Sequence, residues 1–174
     1  PYKVYGGLSF YQRKEIKDLI AYLRLTINQN DEEALKRIIN YPRRGIGDTT
    51  IDKLKEVAQH NNVSIWTLLC NLNKVPGMVS ATTAAKLTRF RQLIEGFTEI
   101  AKEDNAYETT CRIAQASGIK EDLSSDDTPE GVSRQENIYE LLNAVKDFCE
   151  TAYKEGRDDK LPAFLEGVAL LTDQ

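Results

Sequence analysis

A chain of 174 residues is long enough to bury a core as one domain, and no apolar run approaches the roughly 18 residues that a membrane span needs. No positively charged start leads into an apolar stretch, as a secretory signal would, and the three cysteines, Cys70, Cys111 and Cys149, are odd in number, widely spaced and set in apolar helical patterns, which points to buried free thiols in a reducing cytoplasm. The net charge of −4 argues weakly against a polyanionic partner, but its distribution argues otherwise: residues 1–102 carry 16 Lys+Arg against 10 Asp+Glu, and residues 103–174 carry 7 against 17. A polyanion would have to meet the basic front half.

The chain begins at Pro1 without an initiator methionine, as a processed product or an excised piece of something longer would. Residues 2–5 form a short β-favouring run closed by Gly6-Gly7. A lone strand is unstable in water, so this one belongs to a sheet whose other strands lie elsewhere. From residue 11 to about 28 the pattern is helical, with Ile16, Leu19, Ile20, Leu23 and Ile27 on one face. Asn28 to Asp31 stops that helix and caps the next, which buries Ala34, Leu35, Ile38 and Ile39 and exposes Lys36 and Arg37.

Pro42 ends this second helix, and Arg43-Arg44-Gly45-Ile46-Gly47-Asp48-Thr49-Thr50 follows. The glycines let the backbone take conformations that a side chain forbids, and Asp48 or Thr49 can cap the helix that follows, with Ile51, Leu54, Val57 and Ala58 inward. Bare N–H groups at a helix start form an anion site, and two arginines beside them favour a nucleic-acid phosphate. The same residues also suit a helix–turn–helix corner whose glycines serve only close packing.

Ser64 caps a short helix carrying Ile65, Trp66, Leu68 and Leu69, which reads as core. After a break at Val75-Pro76-Gly77, a long helix spans about residues 80–102, with Ala84, Leu87, Phe90, Leu93, Ile94, Phe97 and Ala101 at helical spacing. Residues 107–117 form another, closed by Gly118. The polar stretch 120–133 reads as a mobile surface loop. A long helix starts at Val132 or Ser133 and presents Ile138, Leu141, Leu142, Val145, Phe148 and Ala152. The last, over 161–171, buries Leu161, Phe164, Leu165, Val168 and Leu171. The expected architecture is a compact all-α domain of about eight helices, preceded by a short extended segment.

Marks of catalysis are missing. The sequence has no Gly-x-x-x-x-Gly-Lys-Ser/Thr loop, no Gly-x-Ser-x-Gly elbow, no His-Glu-x-x-His and no Cys-x-x-Cys, and its one histidine, His60, has no neighbouring partner. No catalytic residue and no metal ligand is assigned.

Three blocks carry a resemblance. Pro1-Tyr2-Lys3-Val4-Tyr5-Gly6-Gly7-Leu8-Ser9-Phe10-Tyr11-Gln12-Arg13-Lys14-Glu15-Ile16-Lys17-Asp18-Leu19-Ile20-Ala21-Tyr22-Leu23-Arg24 resembles the block joining subdomains 2A and 2B of UvrD/Rep/PcrA-type superfamily 1 DNA helicases. Residues 37–49, with the Gly45-Ile46-Gly47 turn, resemble the family's next block, and Arg134-Gln135-Glu136-Asn137-Ile138-Tyr139-Glu140-Leu141 its Arg-x-Glu-Asn-Ile-x-Glu-Leu run. The resemblance implies the end of 2A and a junction helix over residues 1–24 and a helical 2B subdomain over 25–174. The parent would be an ATP-dependent 3′-to-5′ helicase of DNA repair or replication, cytoplasmic or nucleoid-bound, using ATP and magnesium that this piece does not itself bind. It also implies that the partners are double-stranded DNA at a single-strand/duplex junction, subdomains 1A, 1B and 2A, and repair proteins. Carried over by position, Arg43, Arg44, Gly45, Ile46, Gly47, Thr49 and Thr50 would touch duplex phosphates, and Phe10, Tyr11 and Arg13 would lie near the single strand or at the interdomain contact. Arg13, Glu15 and Asp18 also suit a salt-bridge set, as does Arg134 with Glu136, and Asn137 suits a cap or a buttress. The rival reading is a protein-interaction module that recruits repair proteins through its acidic back half and has no DNA affinity.

Overall fold

The structure, a computed structural model, describes residues 7–173, so the β-favouring run at 2–5 lies outside the described residues. Among those described there are ten α-helices, a 3₁₀ turn at Leu72–Lys74 and no strand. Among the described residues, five helix starts are held by side-chain caps, and three of those caps stand where the sequence places them. Asp31 accepts from the Ala34 N–H at the head of α3 (Glu32–Ile38), Ser64 from Thr67 at α5 (Ile65–Cys70), and Ser80 from Thr83 at α6 (Ala81–Glu103).

The helix expected over 11–28 begins only at Lys14. A short α1 (Leu8–Tyr11) turns a corner at Gln12 and Arg13 into α2 (Lys14–Ile27), because Arg13 has extended backbone, ψ 140°, and serves as the N-cap of α2. Helix α2 runs through the middle of the domain and packs against α3, α6, α9 and α10. Ile16, Leu19, Tyr22, Leu23 and Leu25 are fully buried there; each such side chain contributes about 1.5–3 kcal/mol of transfer free energy. Ile27, expected inward, is at the rim and 39% exposed. Trp66 packs partly buried against the core.

The stretch expected to be a loop over 120–133 is mostly helix. Gly118, at φ +93°, ends α7 (Ala106–Ala116) and starts α8 (Ile119–Ser124), whose Ile119 and Leu123 are buried one turn apart. Two anchors at i and i+4 in a polar background suffice for one face of a short helix. Helix α9 (Pro129–Lys154) begins three or four residues earlier than expected, since Pro129 needs no N–H partner in a first turn and Thr128 accepts from the Gly131 N–H. Helix α10 (Leu161–Thr172) closes the domain against α2 and α7. The expectation of three buried thiols is corrected: Cys149 is buried, Cys111 half-buried and Cys70 exposed at the end of α5.

Candidate nucleic-acid interface

The turn between α3 and α4 (Asp48–His60) is built from its backbone outward. Asn40 places one carboxamide oxygen where it accepts from the N–H groups of both Arg44 (2.8 Å) and Ile46 (3.0 Å). Gly45 takes φ +77°, a left-handed conformation, and the chain then drops Ile46 into the core with no exposed surface. Gly47 is the N-cap of α4 and makes no side-chain cap, so Asp48 is the first helical residue and not the cap. Arg43, Gly45, Gly47, Asp48 and Thr49 are exposed and Thr50 is half-buried.

The two arginines part company here. Arg43 is exposed and makes no hydrogen bond or ion pair among the described residues. Arg44 turns inward: Nη1 donates to the carbonyls of Ile38 (2.8 Å) and Tyr41 (3.1 Å), and Nη2 donates to the Tyr22 hydroxyl and to the Ser117 carbonyl (3.4 Å). Its guanidinium carbon lies 5.2 Å from the Phe90 ring centroid and 5.7 Å from that of Tyr22. The Tyr22 hydroxyl in turn donates to the Tyr41 carbonyl. Burial pushes the Tyr22 phenol up to about 12, against the pull of Arg44.

The turn is keyed to the α7–α8 corner as well. The Tyr41 hydroxyl donates to Asp122 at 2.9 Å, and a Cβ on Gly118 would stand 3.5 Å from the Pro42 ring. Burial, with that donation to Asp122 added, raises the Tyr41 phenol too. Lys14 lies 4.5 Å above the Tyr41 ring.

Lys86 is the residue that sequence reasoning missed. From α6 it reaches over the turn, with Nζ 3.4 Å from the Gly45 carbonyl. Nothing in its own neighbourhood of sequence announces this; the only signal is a cation on the outer side of an amphipathic helix. Arg43, Lys86 and the open start of α4 thus lie around one exposed turn, with Asp48 as the one acid at that helix start. Such an arrangement can hold an oxyanion with the positive end of a helix and two flexible cations.

The junction residues are placed differently. Phe10 and Tyr11 are buried, edge to face at 5.2 Å, and Arg13 lies 5.7 Å from the Phe10 ring. Arg13 Nη1 donates to Asn137 at 2.6 Å, and the Asn137 amide donates to the buried Glu15 at 2.7 Å. Asp18, also buried, pairs with Lys14 (2.9 Å) and Arg37 (2.7 Å). Arg134 pairs with Asp126 at 3.3 Å and not with Glu136, since residues two apart on a helix do not face one another. Asn137 is therefore a buttress between α2 and α9.

The sequence holds no Gly-x-x-x-x-Gly-Lys-Ser/Thr phosphate loop, and no three His, Cys, Asp or Glu side chains among the described residues cluster to hold a metal ion. No helix among them is long and apolar enough to cross a membrane.

Comparison with known proteins agrees along the whole length. The chain is 34% identical over 172 residues to DNA helicase II of Escherichia coli, covering 98% of this chain and 23% of that protein. It is 37% identical over 172 residues to the ATP-dependent DNA helicase PcrA of Bacillus subtilis, covering 99% of this chain and 22% of the relative. With PcrA of Staphylococcus aureus it shares 35% over 173 residues, 99% of this chain and 23% of the relative. The chain thus spans less than a quarter of the length of these relatives. Residues 1–174 match the UvrD-like helicase C-terminal domain from end to end, and the chain belongs to that family.

Proposed function

We propose that this chain is the 2B subdomain of an ATP-dependent DNA helicase, with a short lead-in from 2A, and that it holds the duplex ahead of the fork by its phosphates. The observation that carries the reading is the turn at the open N-terminus of α4, exposed at Gly45 and Gly47 and carrying an unpaired Arg43, with Lys86 reaching it from α6. Backbone amides and cations at this place recognise phosphate and carry no base code, so binding would be indifferent to sequence and weakened by salt. Arg43, Gly45, Gly47, Thr49 and Thr50 are the contact residues of this proposal. Arg44 and Ile46 shape the turn from beneath, and Phe10, Tyr11 and Arg13 set the junction between α1 and α2.

Residues 10–23 of the lead-in contribute to the same core as the rest of the described chain, and the boundary between residues 24 and 25 falls inside α2. ATP and magnesium belong, on this reading, to the remaining subdomains 1A, 1B and 2A of the parent protein, whose work is repair or replication. The test is an anisotropy titration of the chain with a labelled duplex bearing a 3′ single-stranded tail, at low and moderate salt. Binding that weakens with salt and with Arg43→Gln is expected. No binding at low salt would favour the other reading, a module that recruits repair proteins without touching DNA.

A further inference from the structure

We propose that Arg44 is the positioning residue of the turn: it touches no phosphate, and its guanidinium fixes the path of Asn40 to Gly47 so that the amides and Arg43 stand ready. The proposal rests on the duplex-phosphate reading of the turn for its DNA readout, but the geometry of Arg44 stands on its own.

Helix α3 ends with carbonyls that have no helical partner. Arg44 Nη1 donates to one of them, the Ile38 carbonyl, at 2.8 Å beside the Tyr41 N–H, and to the Tyr41 carbonyl in the turn beyond at 3.1 Å, and its own N–H goes back to Asn40 at 2.8 Å. The chain is therefore gripped twice by one residue, through main chain and side chain. The other guanidinium nitrogen joins Tyr22 on α2 and the carbonyl of Ser117, the residue that ends α7, while the plane lies over Phe90 of α6. Four helices are thus referred to a single cation beneath the turn.

With its forks committed to the protein, Arg44 has little left to offer a phosphate. Arg43, one residue earlier and free of partners, has everything left. Lysine cannot replace Arg44, because an ammonium is a point charge without the flat fork that bridges separated acceptors and covers two rings. Arg44→Lys therefore keeps the charge and loses the positioning.

This difference is measurable, because each phosphate contact adds about 0.9 to the slope of log affinity against log salt. In duplex titrations across a salt series, Arg44→Lys is expected to weaken binding about tenfold with the slope unchanged, the scale set by losing charge-assisted hydrogen bonds. Arg43→Gln is expected to lower the slope by about 0.9. Amide hydrogen exchange on the same proteins follows the Arg44 and Ile46 N–H groups held by Asn40. Their protection should fall in Arg44→Lys, while amides in the middle of α2 and α9 keep theirs. Tyr22→Phe leaves the charge and removes one partner, and should shift both readouts the same way by less. Wild-type affinity in Arg44→Lys, or a slope in Arg44→Gln that falls as it does in Arg43→Gln, overturns the proposal. If the wild-type chain binds no duplex at all, the duplex reading fails and exchange alone decides: lost protection of the turn sustains the positioning role, and unchanged protection overturns it.

Discussion

The Tyr22 hydroxyl accepts a hydrogen bond from Arg44 and donates its own proton to the carbonyl of Tyr41, so a phenol on α2 sits between a cation and the turn it supports. Burial raises that phenol from its ordinary 10.0 to about 12, with Arg44 pulling the other way. The unfolded chain loses the proton first as pH rises. The contribution of Tyr22 is thus intact below pH 10 and is lost as the pH climbs through about 12. An alkaline titration followed by circular dichroism and tyrosinate absorbance should show helix loss in that window. Tyr41, raised by burial and by its bond to Asp122, adds to the loss with the same sign. In Tyr22→Phe the slope within the window should be shallower, while neutral-pH stability falls by about 1–3 kcal/mol as Arg44 and the Tyr41 carbonyl lose a partner.

A second polar link ties the two long central helices. Asn137 on α9 accepts from Arg13 and donates to Glu15, both more than 120 positions earlier, and Glu15 and Asn137 are buried. Asn137→Ala leaves the Glu15 carboxylate without its donor and should cost about 2–3 kcal/mol in urea unfolding, within the range for an unsatisfied buried group. Asn137→Asp keeps an acceptor for Arg13 but sets a second carboxylate against Glu15 where an amide donor stood, and should also cost stability. Equal stability of Asn137→Ala and the wild type would show that water replaces the amide without loss.

Much of this was legible in the residues. Apolar spacing places the core faces of α2, α3, α6 and α9, and Asp31, Ser64 and Ser80 mark helix starts as they should. What escaped was whatever depends on contacts far away in sequence. Helix α8 holds because Ile119 and Leu123 find a core, and a polar stretch with two apolar anchors looks like a loop until that core is present. Arg43 and Arg44 are indistinguishable by type and position, yet one is free and the other serves carbonyls and rings on four helices. Lys86 arrives at the turn from 41 positions away.

That arrival can be weighed. If Lys86 and Arg43 each meet a phosphate, Lys86→Gln and Arg43→Gln should each reduce the salt slope by about 0.9, and the double variant by about twice that. Asp48 acts in the opposite sense. It is exposed in the first turn of α4, where its charge suits the helix dipole of the free protein but opposes an incoming phosphate. Asp48→Asn should therefore strengthen duplex binding a few-fold at low salt, while costing the free domain about 0.3–1 kcal/mol of stability. Weaker binding in Asp48→Asn would mean that the helix start is not where the phosphate sits.

The two glycines of the turn should separate folding from binding. Gly45 has φ +77°, and a Cβ there would come within 2.8 Å of Lys86 Nζ, the movable end of a long side chain. The steric part of Gly45→Ala is then relieved by a shift of Lys86, and the backbone part remains, about 1–2 kcal/mol for a residue with a side chain in the left-handed region. That variant should unfold earlier in urea and bind duplex more weakly, since both the turn path and Lys86 are disturbed. Gly47 has φ −78° and open space around it, with nothing within 4 Å of an added Cβ. Gly47→Ala should move the unfolding midpoint little, because the poorer fit of alanine at an N-cap, about 1 kcal/mol, is offset by the lower entropy of the unfolded chain, about 0.4–1 kcal/mol. Its cost should appear in duplex affinity, where a methyl group stands between the first amides of α4 and a close phosphate. If Gly47→Ala binds as the wild type does while Gly45→Ala does not, the phosphate approaches from the side of Gly45 and Lys86, and the start of α4 serves the fold alone.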